Sequence, residues 1–226
     1  MTARLGMVTI GQSPRVDLTG DIADVLTVPT LEHGALDGLD AAAIARLAPS
    51  PGEPVLTSRL ADGSSVVLTH RRLMPHLRTA VQRCVDDGAR AVLVLCTGDL
   101  DHVDASVPVL HAEALAHAAV AGLLGDGADG PRLGVVSPLP DQSEASAARW
   151  HRALGREVLV TAANPYTDSA EVVGAAADRL AAAGADWVFL DCIGYTEAMR
   201  RGARSGVRVL LARSIAARLA VEAVTA

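Results

Sequence analysis

The chain contains no lysine, because all 20 of its Lys and Arg positions are arginine. This absence excludes a Schiff-base pyridoxal phosphate site, a lysine nucleophile and the lysine of a nucleotide-binding P-loop. Aromatic residues are also scarce, at two Trp, two Tyr and one Phe, which is too few to form a platform for stacking bases. The net charge of −6 opposes binding to a phosphate backbone, so no nucleic-acid partner is expected.

Long apolar runs and disulfide patterns are missing as well. No run approaches the ~18 apolar residues of a membrane span, and the N-terminal region lacks the pattern of a signal peptide. The three cysteines are odd in number and show neither disulfide nor zinc-finger spacing. The sequence therefore predicts a cytoplasmic protein with reduced thiols and no membrane contact.

Short β-branched or leucine-rich runs alternate with alanine- and arginine-rich stretches of helical period, which predicts βαβ units and parallel sheets. The predicted strands are Arg4–Ile10, Ala91–Leu95, Val107–Leu110, Arg132–Ser137, Val158–Thr161, Trp187–Leu190 and Val207–Leu211. The predicted helices are Val16–Leu26, Ala41–Leu47, Arg71–Asp87, Ala112–Leu123, Gln142–Leu154, Ala170–Ala183, Glu197–Arg204 and Arg213–Val224. An inserted β-hairpin is predicted over Val55–Thr69, because two alternating runs flank the turn dipeptide Asp62-Gly63.

Several helix ends carry capping signals. Ser13 followed by Pro14 is typical of an N-cap with proline at the first helical position, and Asp168 has capping-box spacing to Glu171. Glycines that terminate a helix before a strand are expected at Gly88 and Gly184.

Segments of the first half recur in the second half in the same order, which indicates a tandem duplication. Gly88, Ala89, Val92, Cys96 and Gly98 recur 96 positions later as Gly184, Ala185, Val188, Cys192 and Gly194. Arg4, Leu5, Gly6 and Val8 recur 128 positions later as Arg132, Leu133, Gly134 and Val136. A third block recurs 100 positions later: Val107, Val109, Leu110, Ala112 and Ala116 match Val207, Val209, Leu210, Ala212 and Ala216.

The duplication predicts an α/β fold of two pseudo-symmetric flavodoxin-like lobes, with the active site in the cleft between them. Residues 1–111 and 212–226 are assigned to the N-terminal lobe, which carries the hairpin insertion near 55–69. Residues 112–211 are assigned to the C-terminal lobe. The segment Gly125–Gly130 matches G-x-G-x-x-G, but it follows a helix and precedes a strand, so it is interpreted as the linker between the copies.

Each copy places a cysteine directly after a strand and two residues before a glycine, as Cys96 before Gly98 and Cys192 before Gly194. Functional groups of open α/β sheets lie beyond the carboxyl ends of the strands. A thiol on each side of a substrate could remove a proton from one face of a carbon and return one to the other. A buried cysteine of the core is the alternative for each.

Other residues at the strand ends are candidates for binding a substrate carboxylate. Amides and hydroxyls after the cysteines are supplied by Thr97, Gly98, Gly194, Tyr195 and Thr196. Loops after other strands supply Gln12, Ser13, Arg15, Arg71 and Asn164. Surface solvation is the alternative for the arginines, helix capping for Ser13 and plain turn chemistry for Asn164.

The paired cysteine-containing strand ends and the duplicated layout resemble the cofactor-independent aspartate/glutamate/hydantoin racemase superfamily. Four segments resemble its AroM-like branch more closely. These are Thr9–Arg15 (TIGQSPR), His70–Arg72 (HRR), Asn164-Pro165 with Asp168-Ser169, and Leu190–Gly194 (LDCIG). The resemblance implies an isomerase of the racemase or epimerase type without metal or organic cofactor, a small carboxylate-bearing substrate, a homodimer, and a catalytic thiol pair.

Two alternatives to the two-thiol mechanism stay open. The superfamily includes maleate isomerases and decarboxylases in which one cysteine is essential. A non-catalytic protein that binds a metabolite in the same site is the other alternative. The sequence departs from the Cys-Asn-Thr and Cys-Thr patterns of the racemases, since Thr97 directly follows Cys96 and Ile193 follows Cys192.

Three further features have structural interpretations. Cys84 lies within a predicted helix without a repeated partner and is expected in the core. Asp191 precedes Cys192, where an ionised carboxylate would disfavour the thiolate, so it is expected to point away or to pair with an arginine. No metal site is expected from the cluster of His102, His111, His117, Asp99, Asp101 and Asp104, because the spacing matches no ligand pattern.

Overall fold

The computed structural model describes residues 3–125 and 129–226, which form helices and mostly parallel strands. The chain separates into two compact units, Met1–Ala112 with Ala216–Ala226 and Glu113–Ile215. The domain limits expected from the repeat stay a prediction, since compactness does not show that either unit folds alone. The expected linker Gly125–Gly130 includes residues 126–128, which lie outside the described residues.

The strands are β1 (Leu5–Thr9), β2 (Thr30–Gly34), β3 (Val55–Arg59), β4 (Ser65–Thr69), β5 (Ala91–Leu95), β6 (Val109–His111), β7 (Leu133–Ser137), β8 (Leu159–Ala162), β9 (Trp187–Leu190) and β10 (Arg208–Leu211). The helices are α1 (Val16–Thr19), α2 (Ala41–Ala45), α3 (His70–Asp86), α4 (Ala112–Leu124), α5 (Ser143–Leu154), α6 (Ala170–Ala182), α7 (Glu197–Arg201) and α8 (Ala212–Thr225). A single 3-10 turn, Pro140–Gln142, precedes α5.

The first unit contains a parallel sheet of order β2-β1-β5-β6. Its inner strands β1 and β5 are fully buried, as expected for strands covered by helices. The predicted hairpin is confirmed, because β3 and β4 pair antiparallel from Val55 opposite Thr69 to Arg59 opposite Ser65. Gly63 in its turn has φ +84, a conformation that favours glycine.

The second unit contains a parallel sheet of order β8-β7-β9-β10, which repeats the order of the first with each strand replaced by its later counterpart. The shared order agrees with the duplication inferred from the sequence. It also places β5 and β9, the strands that precede Cys96 and Cys192, at the same inner position of their sheets. The predicted fold class is therefore confirmed at the level of two parallel sheets flanked by helices.

Each sheet meets a helix closely at an equivalent glycine. A Cβ added to Gly6 would lie 2.9 Å from the Cβ of Cys84 on α3, and one added to Gly134 would lie 2.9 Å from the Cβ of Leu180 on α6. Cys84 is completely buried, so its prediction as a core residue is confirmed. Its counterpart 96 positions later is Leu180, which is also apolar and buried.

One predicted helix is much shorter in the structure, and one strand has no counterpart among the predicted elements. The helix predicted over Val16–Leu26 ends at Thr19, and residues 20–25 form turns, because Gly20 and the nearby aspartates favour turns over helix. Strand β2 was not predicted, since its sequence TLEHG has no apolar run. It lies at the sheet edge, where its residues are only partly buried, and edge strands need no continuous apolar pattern.

Two predicted caps are wrong, and two C-terminal glycines are right. Helix α1 begins after Arg15 rather than after Ser13, and the Ser13-Pro14 bond is cis. At α6 the N-cap is Ser169, whose hydroxyl accepts from the Val172 amide, whereas Asp168 accepts from the Asn164 amide. The glycines predicted after α3 and α6 both have positive φ, +89 for Gly88 and +95 for Gly184.

None of the helices formed by residues 3–125 and 129–226 has the length and apolar character needed to cross a membrane.

Candidate active site

Cys96 lies directly after β5, at the carboxyl end of the first sheet. Its side chain is in a buried environment, with 8% of the residue exposed. The backbone amide of Gly98 donates a hydrogen bond to the Cys96 sulfur at 3.3 Å. A donor aimed at sulfur favours the thiolate over the thiol.

Cys192 repeats this arrangement after β9 in the second sheet. The residue is 7% exposed, and the amide of Gly194 donates to its sulfur at 3.3 Å. The same turn therefore presents a thiol with an amide donor in both units. Such a thiol can accept a proton as thiolate or donate one as thiol.

The surroundings of the two thiols differ. A Cβ added to Gly98 would lie 2.4 Å from Cδ2 of Leu56 on the hairpin strand β3, so an aliphatic side chain covers the turn of Cys96. A Cβ added to Gly194 would lie 2.8 Å from the ring of Tyr166. The Tyr166 hydroxyl also lies 3.9 Å from the Cys192 sulfur. The inserted hairpin thus contributes to one site, whereas a tyrosine loop contributes to the other.

The loop after β1 binds its own neighbours through two of the predicted site residues. The Gln12 side chain accepts from the Ala61 amide at 2.9 Å and donates to the Leu36 carbonyl at 3.4 Å. The Ser13 amide and hydroxyl both donate to the Asp37 carboxylate, at 2.8 and 2.6 Å. These contacts join the β1–α1 loop to the hairpin and to the loop after β2.

The two predicted arginines occupy contrasting environments. Arg15 is buried, and its guanidinium donates two bonds of 2.8 Å to the Asp17 carboxylate. It also donates to the Thr9 hydroxyl at 3.3 Å. Because Thr9 pairs with Leu95, this guanidinium lies at the same sheet end as Cys96. The Arg71 side chain is 80% exposed, and its Nη2 lies 3.8 Å from Oε1 of Glu53. Arg71 therefore lies at the surface of the unit.

The remaining predicted residues have mainly structural contacts. The Asn164 side chain accepts from the Tyr166 amide at 2.9 Å, which is the turn chemistry considered above. Tyr195 is completely buried and donates its hydroxyl to the Ala163 carbonyl at 2.6 Å, and burial raises its pKa well above the ordinary value. Thr196 caps α7 through the Met199 amide. Thr97 is buried beside Cys96.

Asp191 pairs with an arginine, as predicted. Its carboxylate is buried and lies 3.4 Å from Nη2 of Arg149 on α5. Burial raises the pKa of the Cys84 thiol to about 12. It is therefore protonated at neutral pH and useful as a reference thiol.

Within the part of the chain that the structure describes, no three His, Cys, Asp or Glu side chains are grouped to hold a metal ion. The rings of His102 and His111 lie near each other, with centroids 5.5 Å apart.

Leu56 and Tyr166 were absent from the residues singled out from the sequence. Tyr166 lies between Asn164-Pro165 and Asp168-Ser169. This motif therefore indicates the loop that carries Tyr166 but not the direction of its side chain. Leu56 lies about 40 residues before Cys96, and only the fold shows that the hairpin covers the turn at Gly98. Spacing along the chain carries no signal for such a contact.

A family comparison decides the affiliation. The family model described as AroM protein matches residues 5–224. The chain belongs to the AroM family. No curated protein sequence matches it significantly.

Solved structures share the fold of this AroM-family chain at low sequence identity. An aspartate racemase homologue from Pyrococcus horikoshii OT3 has a TM-score of 0.63 at 11% identity, with all of each chain covered. Arylmalonate decarboxylase has a TM-score of 0.61 at 16% identity, covering 97% of this chain and 91% of the other. Glutamate racemase from Francisella tularensis subsp. tularensis SCHU S4, in complex with D-glutamate, has 0.60 at 11%, covering 99% and 81%. The chain thus shares its fold with these three structures.

Proposed function

We propose that this AroM-family protein is a cofactor-independent isomerase that moves a proton on a carbon atom of a small carboxylate-bearing compound. The observation that supports it most is the repeated turn, in which a glycine amide donates to a cysteine sulfur at 3.3 Å in both units. Core cysteines have no need of a repeated amide donor at the carboxyl end of an inner strand. The repetition favours two thiols of related chemical function.

The proposed reaction uses Cys96 and Cys192 as a base and an acid that exchange roles with direction. One thiolate removes the proton from the carbon next to the substrate carboxylate, which leaves the electron pair delocalised into that carboxylate. The other thiol then gives its proton to the opposite face of the carbon. The product is the stereoisomer, and each turnover leaves one thiol and one thiolate, so no oxidant or metal is required.

The residues around the thiols have distinct proposed roles. We propose that the hydroxyls of Thr97 and Tyr166 contact the substrate. Arg15 is already engaged by Asp17, so we propose that it holds the loop after β1. Gln12, Ser13 and Asn164 would act through the loops that they stabilise.

A single-thiol reaction is the second candidate, because the neighbours of the two sulfurs are unlike. Cys192 has a hydroxyl at 3.9 Å, whereas the turn of Cys96 is covered by the aliphatic Leu56. This asymmetry favours a reaction in which one cysteine supplies the proton, as in decarboxylation or maleate-type isomerisation. Arylmalonate decarboxylase, by its name, performs one of these reactions on the same fold.

Exchange of carbon-bound hydrogen with solvent tests the proposal directly. The protein is incubated in deuterated water with amino acids, hydantoins and dicarboxylates, and NMR follows loss of the signal of the carbon-bound proton. The Cys84→Ala variant is the matched control, since that thiol is buried and has no role in the reaction. Exchange with at least one compound, retained in the control, is expected.

The opposite result would be equally informative. A ligand that raises the melting temperature without any exchange or turnover would contradict catalysis and favour a metabolite-binding protein.

A further inference from the structure

A buried arginine follows β10, the strand that pairs with β9 at the edge of the second sheet. Arg213 is completely buried, in the first turn of α8. In the parallel pairing of the two strands Leu190 is opposite Leu211, and Cys192 and Arg213 each follow their strand by two residues. The register therefore brings the arginine and the thiol to the same end of the sheet.

One peptide group connects the guanidinium of Arg213 to the sulfur of Cys192. Nε of Arg213 donates a hydrogen bond of 2.9 Å to the Ile193 carbonyl. The same peptide group, between Ile193 and Gly194, carries the amide that donates to the Cys192 sulfur at 3.3 Å. A charged donor on the carbonyl polarises the peptide group, so its N–H becomes a stronger donor. The guanidinium therefore acts on the thiol through two hydrogen bonds in series.

The position of Arg213 is costly for a charged side chain. Complete burial removes the guanidinium from water. A cation in the first turn of a helix also meets the positive end of the helix dipole. An apolar side chain of similar length would avoid both costs, so the arginine has a role beyond packing.

The bond from Arg213 is not repeated by its counterpart in the first copy. The residue 100 positions earlier is Glu113, whose carboxylate lies 2.8 Å from Nε of Arg149. A carboxylate has no N–H and cannot donate to a backbone carbonyl. The arginine and its bond to the cysteine turn are therefore particular to the second copy.

We propose that Arg213 is a positioning residue for Cys192. Its guanidinium holds the peptide group of Ile193 and Gly194 with the N–H aimed at the sulfur, and its charge favours the thiolate there. Cys192 is then the thiol that begins the reaction as the base. That assignment rests on the proposed function, whereas the action of Arg213 on the thiol does not.

Other titratable groups border the same turn. The Tyr166 hydroxyl lies 3.9 Å from the Cys192 sulfur, and the buried Tyr195 interacts electrostatically with the thiol and with Asp191. Behind them, facing Asp191 or Tyr195, are Arg149, His117 and Asp168. All of these groups are the same in wild type and in variants of Arg213, so a difference between the proteins reports the arginine.

The pH profile of cysteine alkylation tests the proposal. Mass spectrometry follows each cysteine during reaction with iodoacetamide from about pH 6 to about pH 10, and the midpoint of each profile reports the thiol pKa independently of access. Arg213→Met loses the charge and the donor together, and both losses disfavour the thiolate. The Cys192 midpoint should rise by about 0.5–1 pH unit, which slows its alkylation at pH 7 about three- to tenfold. Arg213→Lys keeps the charge and should return the midpoint most of the way to the wild-type value.

Arg218→Met is the matched control, because Arg218 is an exposed arginine of the same helix. It should leave every midpoint unchanged, and the Cys96 midpoint should keep its wild-type value in all variants. A Cys192 midpoint unchanged by Arg213→Met would overturn the proposal. So would an equal rise at Cys96, an equal effect of Arg218→Met, or an Arg213→Lys midpoint as high as that of Arg213→Met.

Two further features keep the test decisive. If Arg213→Met does not fold, Arg213→Gln, which keeps an N–H donor and loses the charge, is measured in its place with the same outcomes. No substrate takes part in alkylation. Failure here therefore leaves the proposed function standing, and failure of hydrogen exchange on a substrate leaves this result standing.

Discussion

The hydroxyl oxygen of Tyr166 lies 3.9 Å from the sulfur of Cys192. The Tyr166 ring also occupies the space next to Gly194, whose amide donates to the same sulfur. A backbone amide therefore donates to this sulfur, and a tyrosine hydroxyl lies against it in a position to donate to the thiolate. This convergence is the feature that most clearly separates Cys192 from Cys96.

Tyr166→Phe should reduce the reactivity of Cys192 without unfolding the protein. The hydroxyl is lost while the ring that packs on Gly194 stays. Because a donor to sulfur favours the thiolate, alkylation of Cys192 at pH 7 should slow by about two- to fivefold. Site-resolved alkylation measures it, with Cys96 as the internal control. An unchanged Cys192 rate would mean that the hydroxyl does not act on the thiol.

Tyr195→Phe, unlike Tyr166→Phe, should lower the free energy of unfolding. Its buried hydroxyl donates to the Ala163 carbonyl at 2.6 Å, and the variant leaves that carbonyl without this donor. The expected loss in the free energy of unfolding is about 1–3 kcal/mol. Urea denaturation measures it, with Tyr166→Phe as the matched control. Equal stability of the two variants would contradict the structural role given to Tyr195.

The glycines beside the thiols should tolerate alanine unequally. In Gly98→Ala the new Cβ meets the end of a flexible Leu56 side chain, which can move away. In Gly194→Ala it meets the Tyr166 ring and Pro165, which cannot move as easily. Thermal unfolding of the two variants should show Gly194→Ala to be the less stable. Equal melting temperatures would contradict the close contacts.

Stability should fall as the pH drops below about 6.5. Burial lowers the pKa of His117 in the folded protein, although Asp191 opposes this, whereas the unfolded chain has the ordinary value. The unfolded chain therefore binds a proton below about pH 6.5 that the folded protein does not bind. The contribution of His117 to the free energy of unfolding is fully present above this pH, and it declines as the pH falls toward the folded-state pKa.

Denaturation at intervals from about pH 7.5 to about pH 5.5 measures the pH slope, and His117→Gln should make it shallower. His111 acts with the same sign, because burial and His102 lower its pKa. The double variant with His111→Gln should therefore be flatter still. Identical slopes in wild type and both variants would rule out the histidines as the cause.

The sequence predicted the inner strands and the long helices because their signals are local. Trp187–Leu190 is an apolar run, and the repeat of Gly88 and Cys96 at Gly184 and Cys192 gave the order of the second copy. Strand β2 was not predicted, because an edge strand is only half-buried and needs no continuous apolar run. Its role is set by its parallel pairing with β1, which no local pattern records.

The candidate site was predictable in its chain positions but not in its contacts. The two thiols and their glycines followed from the repeat. In contrast, the burial of Arg15 on Asp17 and the exposure of Arg71 depend on side-chain directions at strand ends. The direction of the Asp191 side chain likewise depends on α5, whose Ser146 and Trp150 side chains donate to its carboxylate.

The central claim is that both Cys96 and Cys192 transfer protons on one substrate. The most direct measurement compares the rate of stereoisomer interconversion in wild type, Cys96→Ser and Cys192→Ser, with the compound whose carbon-bound hydrogen the wild-type protein exchanges. Each single variant should interconvert the stereoisomers at least about 100-fold more slowly than wild type. Full interconversion in either single variant would contradict the two-thiol mechanism.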